Sequence, residues 1–239
     1  MRFNAGFGPI FPACCVICYG QPVFGLDMCS SCLGHLTPRV SKNVFGVSAL
    51  CPNCGTEHRG DNCSSCAGNL PLFARIVCPY RFVFPLDRMI HSLKYGRNRT
   101  MGRVLGELLA YGLAREPSAD MKPTVVIPVP LHANRQATRG FNHAADIARF
   151  ASRRLHLPFS EGLARRVEDT ESLAGLSRPE RELLIRGAFS VSDAVADQRI
   201  AIVDDVMTSG ATSGELAREL YDTGAASVEL WVVARTPLV

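Results

Sequence analysis

Residues 199–212 constrain the fold more than any other stretch. Ile200-Ala201-Ile202-Val203 is a continuous apolar run, and Asp204 and Asp205 follow it directly. Val206-Met207-Thr208-Ser209-Gly210-Ala211-Thr212 comes next, and a helical pattern covers Ser213 to Tyr221. A short run that is apolar on both faces fits a strand covered on both sides, as in the parallel sheet of an α/β fold. Such sheets bind ligands at the carboxyl ends of their strands. A loop of small hydroxyl residues and glycine that opens a helix offers N–H and O–H groups to a phosphate. Two carboxylates just upstream can accept hydrogen bonds from the vicinal hydroxyls of a ribose. The segment therefore predicts a ribose 5-phosphate site. The sugar would lie on Asp204 and Asp205, and the phosphate on Thr208, Ser209, Gly210, Ala211 and Thr212. It is not a Walker loop, because the Gly-Lys-Ser/Thr element is missing. The plainer alternative is a solvated turn with a helix cap at Ser209 or Thr212; an acidic pair closing an apolar strand argues against it.

The chain from Cys78 onward supplies the rest of an α/β domain. Tyr80 to Phe84 alternates as a strand does. Met89 to Leu93 and Met101 to Ala114 read as helices, the second with a broad apolar face. Thr124 to Ile127 is a short buried strand, with Pro128 and Pro130 as its stop. Phe141 to Leu155 is an amphipathic helix, and Glu168 to Arg186 a polar loop with a short helix. Gly224 stands where a C-terminal cap belongs, and Ser227 to Ala234 is a final strand. Strands alternating with helices give an α/β fold, with a mostly parallel sheet flanked by helices.

The N-terminal third is different. Nine of the ten cysteines precede residue 67, and eight of these form four doublets with two residues between partners: Cys15/Cys18, Cys29/Cys32, Cys51/Cys54 and Cys63/Cys66. Two thiolates at that spacing chelate one ion through a tight turn, and two such turns complete a tetrahedral Zn²⁺ shell. Buried metal-free cysteines or a single redox pair are the alternatives, and neither needs four regular doublets. Two structural zinc sites are expected. The simplest pairing puts Cys15, Cys18, Cys29 and Cys32 on one ion and Cys51, Cys54, Cys63 and Cys66 on the other. A crossed pairing satisfies the spacing equally. Cys14 and Cys78 remain as structural residues. Residues 1–75 thus read as a metal-nucleated module, too small to rest on an apolar core alone, and residues 76–239 as the α/β domain.

The formal charge is +4, with 26 Lys and Arg against 22 Asp and Glu. Four thiolates around Zn²⁺ carry a net charge of about −2, so two sites would cancel that excess. Locally the bias is larger. Residues 81–103 hold six basic residues and one Asp, and residues 122–154 again hold six and one. Converging at one mouth, they would suit a polyphosphate or a nucleic-acid backbone; a solvated helix face is the plain alternative for Arg149, Arg153 and Arg154. No apolar run is long enough to span a membrane. The first residues lack a basic stretch leading into an apolar one, so no signal peptide is read, and a cytoplasmic protein is expected.

Several of these segments together resemble a known family. Val203 to Thr212 looks like the phosphoribosyl pyrophosphate (PRPP) motif of type I phosphoribosyltransferases. Ile127-Pro128-Val129-Pro130-Leu131-His132, then Arg135 and Arg139-Gly140-Phe141-Asn142, resemble the ComF family of competence-type phosphoribosyltransferase-like proteins. So do His91-Ser92-Leu93-Lys94-Tyr95-Gly96, Gly187-Ala188-Phe189 and the cysteine-rich start. The resemblance implies a type I phosphoribosyltransferase-like domain preceded by a zinc ribbon. It implies that Asp204 and Asp205 are the catalytic-site carboxylates on the ribose hydroxyls, that Thr208 to Thr212 hold the 5-phosphate, and that Lys94, Arg135 and Arg139 face the pyrophosphate. Mg²⁺ would arrive with PRPP, bridging its oxygens. The implied chemistry is displacement at the anomeric carbon, with an acceptor the sequence does not name and a role in DNA uptake. A catalytically silent scaffold that binds single-stranded DNA or DNA-uptake proteins is the other reading. The chain departs from the family where Leu173 and Leu184 replace an amide pair around Leu176-Ser177, and where His143 replaces the Gln after Arg-Gly-Phe-Asn. A lone histidine there is expected on the helix surface or in the core.

Overall fold

The computed structural model describes residues 14–23, 26–36, 49–51, 54, 56–58, 72–116, 122–169 and 178–236. In chain order these form α1 (Ser30–Gly34), β1 (Ala49–Leu50), β2 (Glu57–His58), β3 (Arg75–Val77), β4 (Tyr80–Arg81), α2 (Leu86–Tyr95), α3 (Thr100–Leu113) and β5 (Val125–Pro128). Then follow α4 (Ala133–Arg139), α5 (His143–Leu155), β6 (Ala164–Arg166), α6 (Arg178–Ile185), β7 (Phe189–Val191), β8 (Arg199–Met207), α7 (Ala211–Asp222) and β9 (Ser227–Arg235).

The principal sheet runs β3-β9-β8-β5, with β4 also on β9, and every pairing in it is parallel. Ile200 to Val203 are fully buried because helices cover both faces. The register sets Ile202 opposite Ile127 and Leu230, and Asp204 opposite Val232. β8 runs through the acidic pair to Met207, four residues past the apolar run, because β9 stays alongside it to Arg235. Pro128 closes β5 rather than standing outside it. Beyond the short strands β1, β2 and β3, which precede the first expected strand, two further features were not foreseen. α4 forms ahead of α5 as a separate short helix, and β6 pairs antiparallel with β7 as a small second sheet.

α2, α3 and α5 pack on one face and α7 on the other. α3 and α5 meet at glycines. A Cβ on Gly106 would stand 2.6 Å from the Ile147 carbonyl oxygen and 2.8 Å from Phe150 Cβ, and one on Gly102 would stand 2.7 Å from Asp146 Cβ. The spacing of Gly102 and Gly106 therefore lets α5 lie close against α3, and holds its N-terminal end beside the sheet.

The first two cysteine doublets fold onto that same face. Cys15, Met28, Cys32 and Leu36 share a core with Leu105, Leu108 and Leu109 of α3, and Arg103 pairs with Asp27. Cys29 Sγ caps α1 by accepting from the Cys32 amide at 3.3 Å. No helix among the described residues is long and apolar enough to cross a membrane.

The backbone oxygen opposing Gly106 cannot move without moving α5. Gly106→Ala is therefore expected to destabilise the protein by about 1–3 kcal/mol in a denaturant titration. Gly162→Ala, with no atom within 4 Å of the added carbon, should leave the midpoint within experimental scatter.

Candidate functional site

The carboxyl ends of β5 and β8 open into a cleft of about 330 Å³. Lys94, Arg135, Arg139, Asp204, Asp205, Thr208 and Thr212 line it. A smaller pocket beside it is lined by Asp204, Thr208, Ser209, Gly210, Ala211, Thr212 and Ser213. The residues singled out from sequence for ribose, phosphate and pyrophosphate thus come together along one continuous surface.

Each element delivers its side chain for a local reason. Gly210 has a φ of 78° and is the N-cap of α7, and the Ser209 hydroxyl accepts from the Ala211 amide at 3.4 Å. The first-turn amides of a helix lack intrahelical partners, so α7 aims donors at the small pocket. The Arg139-Gly140-Phe141-Asn142 run turns the chain between two helices. Gly140, at a φ of 85°, ends α4 in a conformation that a side chain would strain. The Asn142 side-chain oxygen caps α5 through the Ala144 amide at 3.0 Å, and its amide donates to the Val129 carbonyl at 3.0 Å. This double grip ties the start of α5 to the loop after β5. Phe141 lies under the Arg99 guanidinium, 5.3 Å from its centroid, and Arg99 closes a two-pronged pair with Asp146 at 2.6 and 2.9 Å.

The two aspartates do different work. Asp205 is buried, with its Oδ2 2.8 Å from Lys94 Nζ and 3.4 Å from His143 Nε2. Its Oδ1 accepts from the Val206 amide at 2.6 Å. Burial alone would raise its pKa, but His143 and the Lys94 ammonium hold it below the usual carboxylate range. Lys94 also loses hydration on burial, and the Asp205 and Asp204 charges outweigh that, so it stays protonated. Asp204 is half-buried and faces both pockets. Burial and the neighbouring Asp205 charge push its carboxyl up to about 7. The acidic pair therefore has one locked carboxylate and one that gives up a proton near neutrality.

His143, Asp204 and Asp205 bring three ligand atoms within 4.8 Å of one another. The Lys94 ammonium already serves Asp205 there, so the cluster fits a fixed protein cation better than a resident metal.

The thiol cluster is of another kind. Cys15, Cys18, Cys29 and Cys32 place all four sulfurs within 4.8 Å of one another, with Cys18 and Cys29 3.6 Å apart. A tetrahedral site with Zn–S bonds of about 2.3 Å sets its sulfurs about 3.8 Å apart. The four thiols fit such an ion. Burial opposes ionisation of Cys15, but surrounding amides bring its thiol down to about 6. The uncrossed pairing of these two doublets is the observed one. Cys51 is buried and Cys54 half-buried; Cys63 and Cys66 lie outside the described residues, as does Leu173. Leu184 is half exposed on α6.

Sequence reasoning did not place two side chains in the cleft. His143, expected on the helix surface or in the core, is buried, and it lies at the cleft floor. Arg166 reaches it from β6, an element not anticipated. Burial and the nearby Arg135 charge lower the Arg166 pKa. Asn142 was a usable signal, since a cap residue fixes where the next side chain starts its helix; nothing marked Arg166.

No family model matches the chain. It is 31% identical over 230 residues to the DNA utilization protein YhgH of Shigella flexneri, covering 94% of this chain and 98% of that protein. It is 30% identical over 222 residues to competence protein F of Haemophilus influenzae, covering 87% and 96%. Among solved structures, a glutamine PRPP amidotransferase from B. subtilis superposes with a TM-score of 0.39 and 20% identity, over 56% of this chain and 26% of that one; so loose a likeness carries no assignment. The sequence relatives span nearly the whole chain, including the cysteine-rich segment and the cleft, and by that measure this protein belongs to the family of competence protein F and the DNA utilization protein YhgH, the ComF family.

Proposed function

We propose that the chain binds PRPP, or another ribose 5-phosphate, with Mg²⁺ in this cleft, as a phosphoribosyltransferase-like protein serving DNA uptake. The observation that carries the reading is the shared wall. Asp204 borders both the 330 Å³ cleft and the pocket formed by Thr208 to Ser213. A ribose on Asp204 has room for its 5-phosphate at the α7 N-terminus, and for its anomeric substituent toward Arg135 and Arg139. The names of the relatives, DNA utilization protein and competence protein, support the biological setting.

In this reading the half-exposed Asp204 accepts from a ribose hydroxyl. Asp205 stays locked beneath it, fixing Lys94 at the cleft floor. Arg135 and Arg139 stabilise the charge that gathers on the departing pyrophosphate. Mg²⁺ comes with the diphosphate and neutralises part of its charge. Where an acceptor is present, its nucleophilic atom bonds to the anomeric carbon as the bond to the pyrophosphate oxygen breaks. The chain contributes position and field rather than a covalent intermediate.

A second reading makes the same cleft a receptor in an accessory protein that handles single-stranded DNA. Tyr95 favours it. This ring is 64% exposed at the rim, 4.8 Å from the His91 ring, with the Arg139 guanidinium 5.8 Å away. Exposed aromatic rings beside cations are where bases of a single strand stack.

The zinc role we propose is structural, with Cys15, Cys18, Cys29 and Cys32 as one ligand set and Cys51, Cys54, Cys63 and Cys66 as the other. Elemental analysis is expected to return about two zinc per chain, and Cys15→Ser about one fewer, with a lower thermal midpoint. A metal-free chain that melts unchanged in chelator would contradict it.

Asp204→Asn is expected to weaken Mg²⁺–PRPP binding about tenfold or more in calorimetry, the cost of losing a hydrogen bond to a charged acceptor. The pH sense follows from the raised pKa. The ionised form accepts the sugar hydroxyl, so affinity should rise from pH 6 to pH 8 by more in wild type than in Asp204→Asn, which keeps only the rise that comes from the ligand phosphate and the rest of the cleft. Stability should move the opposite way. The folded state keeps this proton up to about pH 7, where the unfolded chain has long lost it. The group's contribution therefore falls as pH rises from about 4 to 7. Asp204→Asn should raise the thermal midpoint of the ligand-free protein at pH 8. A variant that binds PRPP as wild type does would remove Asp204 from the site.

A further inference from the structure

His143 is the first residue of α5, 7% exposed at the floor of the cleft. Its two ring nitrogens face opposite kinds of partner. Nδ1 lies 3.4 Å from an Arg139 guanidinium nitrogen, and Nε2 lies 3.4 Å from Asp205 Oδ2. A guanidinium has only donors, and an ionised carboxylate only accepts. One protonation state suits both contacts, the first a hydrogen bond and the second a charge–dipole approach at 3.4 Å without hydrogen-bond geometry. Nδ1 keeps its lone pair toward Arg139, and Nε2 carries the proton toward Asp205. The neutral Nε2–H ring is therefore a bridge of defined polarity between β8 and α4.

We propose that neutral His143 is a positioning residue, which holds Arg139 in the cleft against the Asp205 anchor, and that protonating it releases Arg139. The functional half of this inference rests on the phosphoribosyl reading above; the bridge itself does not. A doubly protonated ring would turn an N–H toward the Arg139 N–H, donor against donor and cation against cation. The other charged groups facing the ring decide how hard that step is. Asp205 from β8 favours the proton, as does its neighbour Asp204 when ionised, whereas Lys94 from α2 and Arg139 from α4 oppose it. Asp146, one turn along α5, favours it, but its carboxylate is engaged by Arg99. With burial added, the ring takes up its proton only below the ordinary histidine range. The Arg139 guanidinium also stands 5.8 Å from the exposed Tyr95 ring, which offers it a cation–π partner at the rim once released. A glutamine at this position both donates and accepts through one amide. It could make the same bridge, but with no protonation step to break it.

Nitrogen NMR on ¹⁵N-labelled full-length protein reads the bridge directly, with His143 assigned by its loss in His143→Gln. Expected are an unprotonated Nδ1 and a protonated Nε2 at pH 7.5, with proton uptake only below about 6.5. A protonated Nδ1 at pH 7.5, or ordinary titration at about 6.5, would overturn the inference whatever the protein binds. The second arm titrates inorganic pyrophosphate with Mg²⁺ from pH 5 to 7.5. His143→Leu is expected to lose about tenfold or more in affinity at pH 7.5. His143→Gln should recover most of that loss and lose less affinity than wild type between pH 7.5 and 5, the fall common to both coming from protonation of the pyrophosphate and of Asp204. Equal losses in the Leu and Gln variants at pH 7.5, or an acid-side fall as steep in Gln as in wild type, would sink the positioning role. Should wild type bind no pyrophosphate while the NMR result is as expected, the phosphoribosyl reading fails and the bridge stands.

Discussion

The Asp205 carboxylate is the point on which the cleft depends. It is buried at the end of β8, and three elements converge on it: Lys94 from the last turn of α2, His143 from the first turn of α5, and the backbone of β8 itself. A buried charge survives only with partners in good geometry, and removing one partner of such a group costs about 3–5 kcal/mol. The consequence is spatial. Any packing in which α2 or α5 drifts from the sheet leaves that charge without compensation. The carboxylate therefore fixes where two helices end, and with them where Arg139 and Tyr95 stand. The Gly102 and Gly106 seam and the Arg99–Asp146 pair secure α5 from its other side.

Around that anchor the cleft divides into a rigid floor and a responsive wall. Asp205 is paired by charge with Lys94 and lies beside His143. Asp204, on the next residue, is left half-buried with its carboxyl raised to about 7. Two adjacent carboxylates cannot both be comfortable in one low-dielectric place. The chain resolves this by giving one of them the available cation and leaving the other near its titration point, facing the ligand space. The zinc-type knuckle contributes at a distance. Its Cys15, Met28, Cys32 and Leu36 complete the core under α3. The first two cysteine doublets thereby share a core with the helices behind the cleft.

Much of this was legible in the sequence, for identifiable reasons. β8 and β9 are apolar on both faces, so their strand character and parallel setting followed from pattern alone. The Thr208 to Thr212 loop followed from small residues between a strand and a helix, and the cluster of Cys15, Cys18, Cys29 and Cys32 is the simpler of the two pairings that spacing allowed. What escaped was set by tertiary context. β8 outruns its apolar residues because β9 pairs with it beyond them, which no local pattern encodes. α4 is seven residues with no buried side chain, and so has no hydrophobic period to detect. Lys94 was expected to face a diphosphate, but in the ligand-free protein it lies on Asp205. His143 could be placed on a helix but not at the cleft floor, because its neighbours Arg139, Lys94 and Asp205 come from three other elements.

The most direct test is a crystal structure with ribose 5-phosphate and Mg²⁺. The account predicts the phosphate against the Thr208 to Ser213 loop, a sugar hydroxyl on Asp204, and Asp205 still holding Lys94. A phosphate bound elsewhere, or a sugar that takes Asp205 from Lys94 while leaving Asp204 to solvent, would contradict it.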